Sequence, residues 1–127
     1  MVMGGKIVGG IAGAYDFSRN GFISIFVIPS TMQEMKISTV VPMVSHVDYT
    51  EHEVDGLVTE HGFADLRFMN PRDRAREIIA HCAHPRYREP LQAYLKKAES
   101  TKSYRPILLD EAFQFHRNFE TKGTMLG

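Results

Sequence analysis

Ile23-Ser24-Ile25-Phe26-Val27-Ile28 is the stretch on which the reading of the fold turns. It is nearly continuous in apolar β-formers, as suits a strand covered on both faces in a parallel or mixed sheet, and it is expected at the centre of that sheet. Pro29 closes it, because proline has no N–H for the ladder and holds the residue before it in extended geometry. Shorter runs at 6–8, 37–44 and 54–59 are bounded by turn residues and read as further strands. Beyond residue 69 the apolar period changes from two to 3.6. Asn70-Pro71 is a helix start, with Asn as cap, Pro in the first turn and Asp73 facing the positive end of the dipole. Ala75, Ile78, Ile79 and Cys82 then share one stripe, and His84-Pro85 ends the helix. A second helix carries Leu91, Tyr94, Leu95 and Ala98. A third starts near Asp110 and stops at Lys122-Gly123 by the glycine cap rule. The expected architecture is α/β, a short, mostly parallel or mixed sheet followed by three C-terminal helices. Residues 1–69 hold the glycine loop and strands, and residues 70–127 form a helical tail. Three apolar stripes are much for so small a sheet to cover, which suggests a piece of a larger α/β unit.

Composition narrows the function classes. The chain has 127 residues, one domain's worth, with Lys+Arg and Asp+Glu both at 15 and a formal net charge of zero. The broad electrostatic attraction used by nucleic-acid and anionic-membrane binders is therefore missing, and neither partner is expected. Cys82 is the single cysteine, so no internal disulfide can form and a reducing, cytoplasmic setting is expected. The start, MVMGGKIVGG, has no secretory signal pattern, and the longest apolar run is only strand-length.

Gly4-Gly5, Gly9-Gly10 and Gly13 surround a short apolar strand, with Asp16-Phe17 following. Glycines there allow positive φ and bring bare N–H groups close to a phosphate, a carboxylate or an oxyanion. Neither GxGxxG ahead of a helix nor GxxxxGK[ST] is present, so the pattern alone is equally that of a tight strand-to-loop turn.

The residues beyond it say more. GGIAGAYDFSRNGFISIFVIPS (9–30), KISTVVPMVSHVDYTEHEVDGLVTEHGFADLR (36–67), RAREIIAHCAHPRYREPL (74–91) and LLDEAFQFHRNFETKGTM (108–125), in that order and spacing, resemble the C-terminal region of the acetyl-CoA hydrolase/transferase family. Within the class I CoA-transferases the resemblance is closest to the succinyl-CoA:acetate CoA-transferase branch. It implies a partial CoA-transferase-type (NagB/RpiA-like) domain, amounting to the last quarter to third of a full-length member. It also implies acyl transfer through a glutamate nucleophile that lies upstream of the glycine segment, in a portion this chain does not contain. Coenzyme A would be a substrate rather than a covalently bound cofactor, and the partners an acyl-CoA, a small carboxylate, the missing N-terminal portion and further copies in a homo-oligomer. Gly10 and Gly13 would supply the backbone oxyanion loop, while Lys36 and Arg19, flanking the loops that lead to it, would contact coenzyme A. The chain alone is expected to be inactive. Ala12 and Tyr15 depart from the family's GxGGxxDF pattern, and Glu34-Met35 stands where GGKIS is common, so a catalytically inactive remnant or binding module is the alternative.

The other candidates have plainer explanations. His46, His52, His61, His81, His84 and His116 reproduce no zinc-ligand spacing, and no metal site is expected. His46 and His52 read as loop-folding hydrogen bonders, and His81 or His84 as a helix C-terminal cation. Cys82 lies on an apolar stripe and reads as a small buried hydrophobe. Arg72, Arg74, Arg76, Arg86 and Arg88 are interspersed with Asp and Glu, which suits a solvated face or internal ion pairs. Glu60, after a strand end, reads as a loop-anchoring acceptor, and neither it nor Glu34 is assigned as a nucleophile.

Overall fold

The computed structural model describes residues 18–127, together with the backbone of two short antiparallel strands, β1 (Val2–Met3) and β2 (Lys6–Ile7). The main sheet has three strands, β3 (Ile25–Val27), β6 (Gly56–Thr59) and β7 (Gly62–Asp65), in the order β3-β6-β7. Strand β3 is parallel to β6, with Ile25, Phe26 and Val27 opposite Gly56, Leu57 and Val58. Strand β7 returns antiparallel through the two-residue turn Glu60-His61. The sheet is therefore mixed. A separate hairpin joins β4 (Thr31–Met32) to β5 (Ile37–Ser38). Helices α1 (Pro71–His81), α2 (Pro85–Glu99) and α3 (Gln114–Lys122) follow the strands, and residues 18–20 and, as a short 3-10 turn, Glu51–Glu53 are helical ahead of them.

Two expectations about strands are corrected. The apolar run at 23–28 is not the centre of the sheet: β6 is, and β3 is an edge among the described strands. The run meets the demand of two covered faces in composition, yet Ile25 and Val27 remain 48% and 75% exposed, because among the described residues only one face carries a layer. The run at 37–44 yields only Ile37–Ser38 as strand. There the Ser38 hydroxyl donates to the Val40 carbonyl at 2.6 Å, turning the chain, and Pro42 has no N–H for a ladder. Strand β7 went unread in the sequence. Its four residues carry too short an alternation to stand out.

The helix signals act as read. The Asn70 side chain accepts from the N–H groups of Arg72 and Asp73, each at 3.0 Å. Gly123 ends α3 at φ 71°, its N–H donating to the Phe119 carbonyl at 2.9 Å. Helix α3 begins at Gln114, not near Asp110, because residues 109–113 form turns, as where the Ala112 N–H donates to the Leu108 carbonyl at 2.8 Å.

Helix α1 is what joins the layers. Its Ile78 packs with Cys82, Ala64 and Leu66 on the sheet side. Ile79, one position on, enters the larger core of Ile37, Tyr87, Leu91, Leu95, Phe115 and Met125. Arg74 fastens the start of α1 to the sheet's periphery, with Nη1 donating to the Leu66 carbonyl at 3.0 Å and Nη2 to the Glu51 and Val54 carbonyls at 2.6 and 2.7 Å. Hydrogen bonds from a charged donor are each worth about 1.5–3 kcal/mol, so this arginine is structural.

Gly62 permits the closest approach between sheet and helix. A Cβ there would lie 2.9 Å from the His81 carbonyl oxygen, which is backbone and cannot swing aside. Gly62→Ala is expected to destabilise the chain by about 1–3 kcal/mol, read as a lower urea midpoint with unchanged m-value. An unchanged midpoint would mean that sheet and helix separate freely here.

Candidate functional site

Parallel strands β3 and β6 end side by side, the Ile28 N–H donating to the Val58 carbonyl at 3.0 Å, and functional groups in α/β folds gather beyond such strand ends. The residues found there are Ser30 and Glu60. The Glu60 carboxylate accepts from the Ser30 N–H at 2.9 Å and from the Ser30 hydroxyl. Those two donors, the hydroxyl first, hold the Glu60 carboxyl down at about 2, so it is ionised throughout the physiological range. It is neither a reservoir of protons nor an unencumbered nucleophile. Ser30 is fully buried and its carbonyl accepts the Thr39 N–H at 3.0 Å, so Glu60 fixes the corner through which β3 passes into the hairpin. Its loop-anchoring role, read from the sequence, has this geometry. Ser30 itself was not singled out, and a serine after a proline carries no signal of such a task.

The hairpin beside it contains a turn of left-handed backbone. Gln33, Glu34 and Met35 have φ of 50°, 54° and 65°, closed by the Lys36 N–H donating to the Gln33 carbonyl at 3.1 Å. The departure from GGKIS thus falls where glycine would be unstrained. Tyr87, fully buried, donates its hydroxyl to the Met35 carbonyl at 2.9 Å, and the Met125 N–H donates to the Lys36 carbonyl at 2.8 Å. The Lys36 ammonium is exposed, 3.8 Å from Glu34 Oε2.

His61 and His84 complete the neighbourhood, their rings edge-to-face at 5.1 Å, with His61 Nε2 3.5 Å from Glu60 Oε1. His84 is corrected from a helix C-terminal cation to the N-cap of α2. Its Nδ1 accepts the Arg86 N–H at 3.2 Å, which requires an unprotonated nitrogen. Burial first, and then His61, hold its pKa below the ordinary histidine value, in keeping with that role.

Gly10 and Gly13, with Ala12 and Tyr15, lie outside the described residues. Arg19 lines a polar hollow with Thr50, His52, Glu53 and Asp55; Lys36 does not, so the two residues expected to contact coenzyme A do not share it. An apolar cleft of about 370 Å³ lies between residues 39–44 and helices α1 and α2, lined by Val40, Val41, Ile78 and Tyr94, and its charged liner, Arg105, is paired with Glu51 at 2.8 Å. Of the basic cluster, Arg76 pairs with Asp73 and Glu99, Arg88 donates to the Ala83 carbonyl and Arg72 to the Ser103 carbonyl, while Arg86 is exposed. Cys82 is buried, its thiol donating to the Leu57 carbonyl at 3.3 Å, and desolvation pushes its pKa up, away from nucleophile chemistry. Among the described residues no group of three metal donors converges; His46 pairs with Asp48 at 3.0 Å and His81 with Glu77 at 3.3 Å, while the buried His116 Nδ1 has no hydrogen-bond partner.

Two outcomes follow from this geometry. The Glu60 carboxyl is depressed from 4.5 to about 2, so its bonds to Ser30 contribute stability above about pH 4.5 that is lost as pH falls toward 2. The stability difference between the native chain and Glu60→Gln should be level at neutral pH and shrink across that window in urea titrations. A difference level down to pH 2 would show the carboxylate unbound. For Met35→Gly, relief of about 1–2 kcal/mol of left-handed strain is set against about 0.5–1 kcal/mol of glycine entropy, so a net gain of up to about 1.5 kcal/mol is expected from thermal unfolding. A lowered Tm would contradict it.

The acetyl-CoA hydrolase/transferase C-terminal domain family matches residues 1–95. The propanoyl-CoA:succinate CoA transferase of Escherichia coli is 49% identical over 126 residues, covering 99% of this chain and 25% of that protein. The succinyl-CoA:acetate CoA-transferase of Clostridium kluyveri is 45% identical over 125 residues, covering 98% of this chain and 23% of its own length. The 4-hydroxybutyrate CoA-transferase of Porphyromonas gingivalis superposes with a TM-score of 0.57 at 37% identity, over 65% of this chain and 21% of that one. The chain therefore spans about a quarter of the length of the curated relatives it matches. The family match over residues 1–95, with 49% identity to a relative over 99% of the chain, makes this chain a member of the acetyl-CoA hydrolase/transferase family, in its C-terminal domain.

Proposed function

We propose that the chain is the C-terminal portion of an acyl-CoA:carboxylate CoA-transferase or acetyl-CoA hydrolase of acetate metabolism, acting in the cytoplasm as a homo-oligomer once joined to its upstream portion. The observation that carries this is 49% identity over 99% of the chain to a CoA transferase. Residues 1–69 present the glycine loop and strands, and residues 70–127 pack them. A glutamate carboxylate supplied from upstream attacks the acyl-CoA thioester carbonyl, the CoA thiolate departs, and an acyl-glutamyl anhydride is left. The thiolate then attacks the glutamyl carbonyl, releasing the first carboxylate and forming a glutamyl-CoA thioester. An acceptor carboxylate reverses both steps, or water ends the sequence as hydrolysis.

In that scheme Gly10 and Gly13 aim backbone N–H groups at the tetrahedral oxyanion, where one such donor is worth about 100- to 1000-fold in rate. Lys36 and Arg19, which flank in sequence the loops leading to the glycine segment, contact coenzyme A. Glu60 does no chemistry of its own. Bound to Ser30, it holds the corner beside the site, consistent with a carboxyl kept ionised. A catalytically inactive remnant of the same fold is the second reading, favoured by Ala12 and Tyr15 in the loop and by Glu34 and Met35 in left-handed backbone.

Supplied with succinyl-CoA and acetate, the purified chain should show no turnover. Grafted in place of the matching quarter of the Escherichia coli relative, it should restore CoA transfer, and Gly13→Val in that graft should lower kcat at least about 100-fold at little cost in folding. A folded but inactive graft would support the remnant. Turnover by the isolated chain that disappears on changing one of its own glutamates would refute both.

A further inference from the structure

Among the described residues the main sheet carries apolar side chains on both faces, with Asp65 the charged exception on the second, and is covered on one. Its register aligns Phe26, Leu57 and Ala64 across the three strands, and Leu57 and Ala64 pack with Ile78 and Cys82. The flanking rows, Ile25-Gly56-Asp65 and Val27-Val58-Phe63, face the other way, since side chains alternate along a strand. On that second face Ile25, Val27 and Phe63 are 48%, 75% and 47% exposed. Gly56 leaves room for the Phe63 ring, which a Cβ there would meet at 2.7 Å. At the end of the sheet where β3 begins and β7 ends, Phe22 and Phe68 are fully exposed, with Phe68 held at φ 58°. A bulky residue in left-handed backbone with no burial to offset it is unfavourable in a chain on its own.

We propose that this face is the docking surface for the upstream polypeptide of the family's chain, which lays a second apolar layer over Ile25, Val27, Val58 and Phe63 and grips Phe22 and Phe68 at the rim. This rests on the reading above, that the chain works joined to an upstream portion. The occupant follows from three observations. Parallel pairing, as between β3 and β6, is found chiefly in sheets covered on both sides. Helix α1 lies on the opposite face, and α2 and α3 belong to the core around Tyr87 and Phe115, so these three helices do not provide a second layer. About three-quarters of each matched relative lies beyond the part this chain spans, ample to provide one.

The test uses Val27→Asp, with Val27→Lys to control for charge sign, in the isolated chain and in the graft carrying the Escherichia coli relative's remaining three-quarters. In the isolated chain both variants should move Tm by less than about 2 °C, because the side chain is already in water. In the graft, amide exchange at Ile25–Val27 should slow at least about 100-fold relative to the isolated chain, and either variant should abolish that protection. Unchanged exchange in the graft, variants tolerated there as well as in isolation, protection already present in the isolated monomer, or a dimer of the isolated chain dispersed by Val27→Asp would each overturn the proposal. Exchange and turnover are separate readouts. A protected but inactive graft would sink the transferase reading alone, and an active graft with β3 unprotected would sink the docking surface alone.

Discussion

The bond between Ser30 and Glu60 is the constraint on which the arrangement of this chain rests. Two parallel strands have no hairpin to hold their ends together, and β3 must leave the sheet at Pro29 without a ladder partner from proline. A carboxylate that accepts both the N–H and the hydroxyl of Ser30 ties the exit of β3 to the turn between β6 and β7. From that fixed corner the chain runs directly into the β4–β5 hairpin, and the Ser30 carbonyl receives the Thr39 N–H as the hairpin returns. The same short stretch thus sets both where the sheet ends and where the hairpin begins.

Helix α1 translates that corner into tertiary structure. Adjacent residues Ile78 and Ile79 belong to different cores, one against the sheet and one against the other helices. Gly62 lets the His81 carbonyl approach the sheet, and the Thr59 hydroxyl donates to the Cys82 carbonyl at 2.9 Å, so the last turn of α1 is bound to the same β6–β7 turn that carries Glu60. His84 then starts α2 only two residues later by capping it with an unprotonated nitrogen. Sheet end, helix end and helix start meet in one place, and this is why a region with little chemistry of its own is rigid enough to present the loops around it.

Local codes were legible in the sequence and partner-dependent ones were not. Asn70-Pro71 and Gly123 announce helix ends because capping is satisfied within a few residues. Four motifs in order announced the family, since they report many positions at once. Residues 40–44 read as strand because valines suit ladders, but they line an apolar cleft instead, and period alone does not separate a ladder from a wall. The run at 23–28 spoke truthfully of two apolar faces and misleadingly of a central place, because centrality depends on what lies alongside. Of the site, the anchoring role of Glu60 was readable from its place after a strand, whereas its partner Ser30 and the Tyr87 hydroxyl that reaches Met35 become visible only across separations of 30 and 52 residues.

The hairpin turn shows how geometry can outlast the residues that suit it best. Glu34 and Met35 are poor choices for left-handed backbone, yet the turn is held from three directions: the Gln33 carbonyl within it, the Tyr87 hydroxyl from α2 and the Met125 N–H from the C-terminal tail. Two of those partners belong to the main core, with Tyr87 fully buried and Met125 nearly so. At about 1 kcal/mol per net hydrogen bond, these restraints offset part of the strain of the three side chains at 33–35, and the core that supplies them is stabilised independently. The conformation is therefore a property of the scaffold rather than of its own sequence. Substitution there changes the surface offered to a neighbour, by adding an exposed carboxylate and thioether beside Lys36, without moving the backbone that offers it.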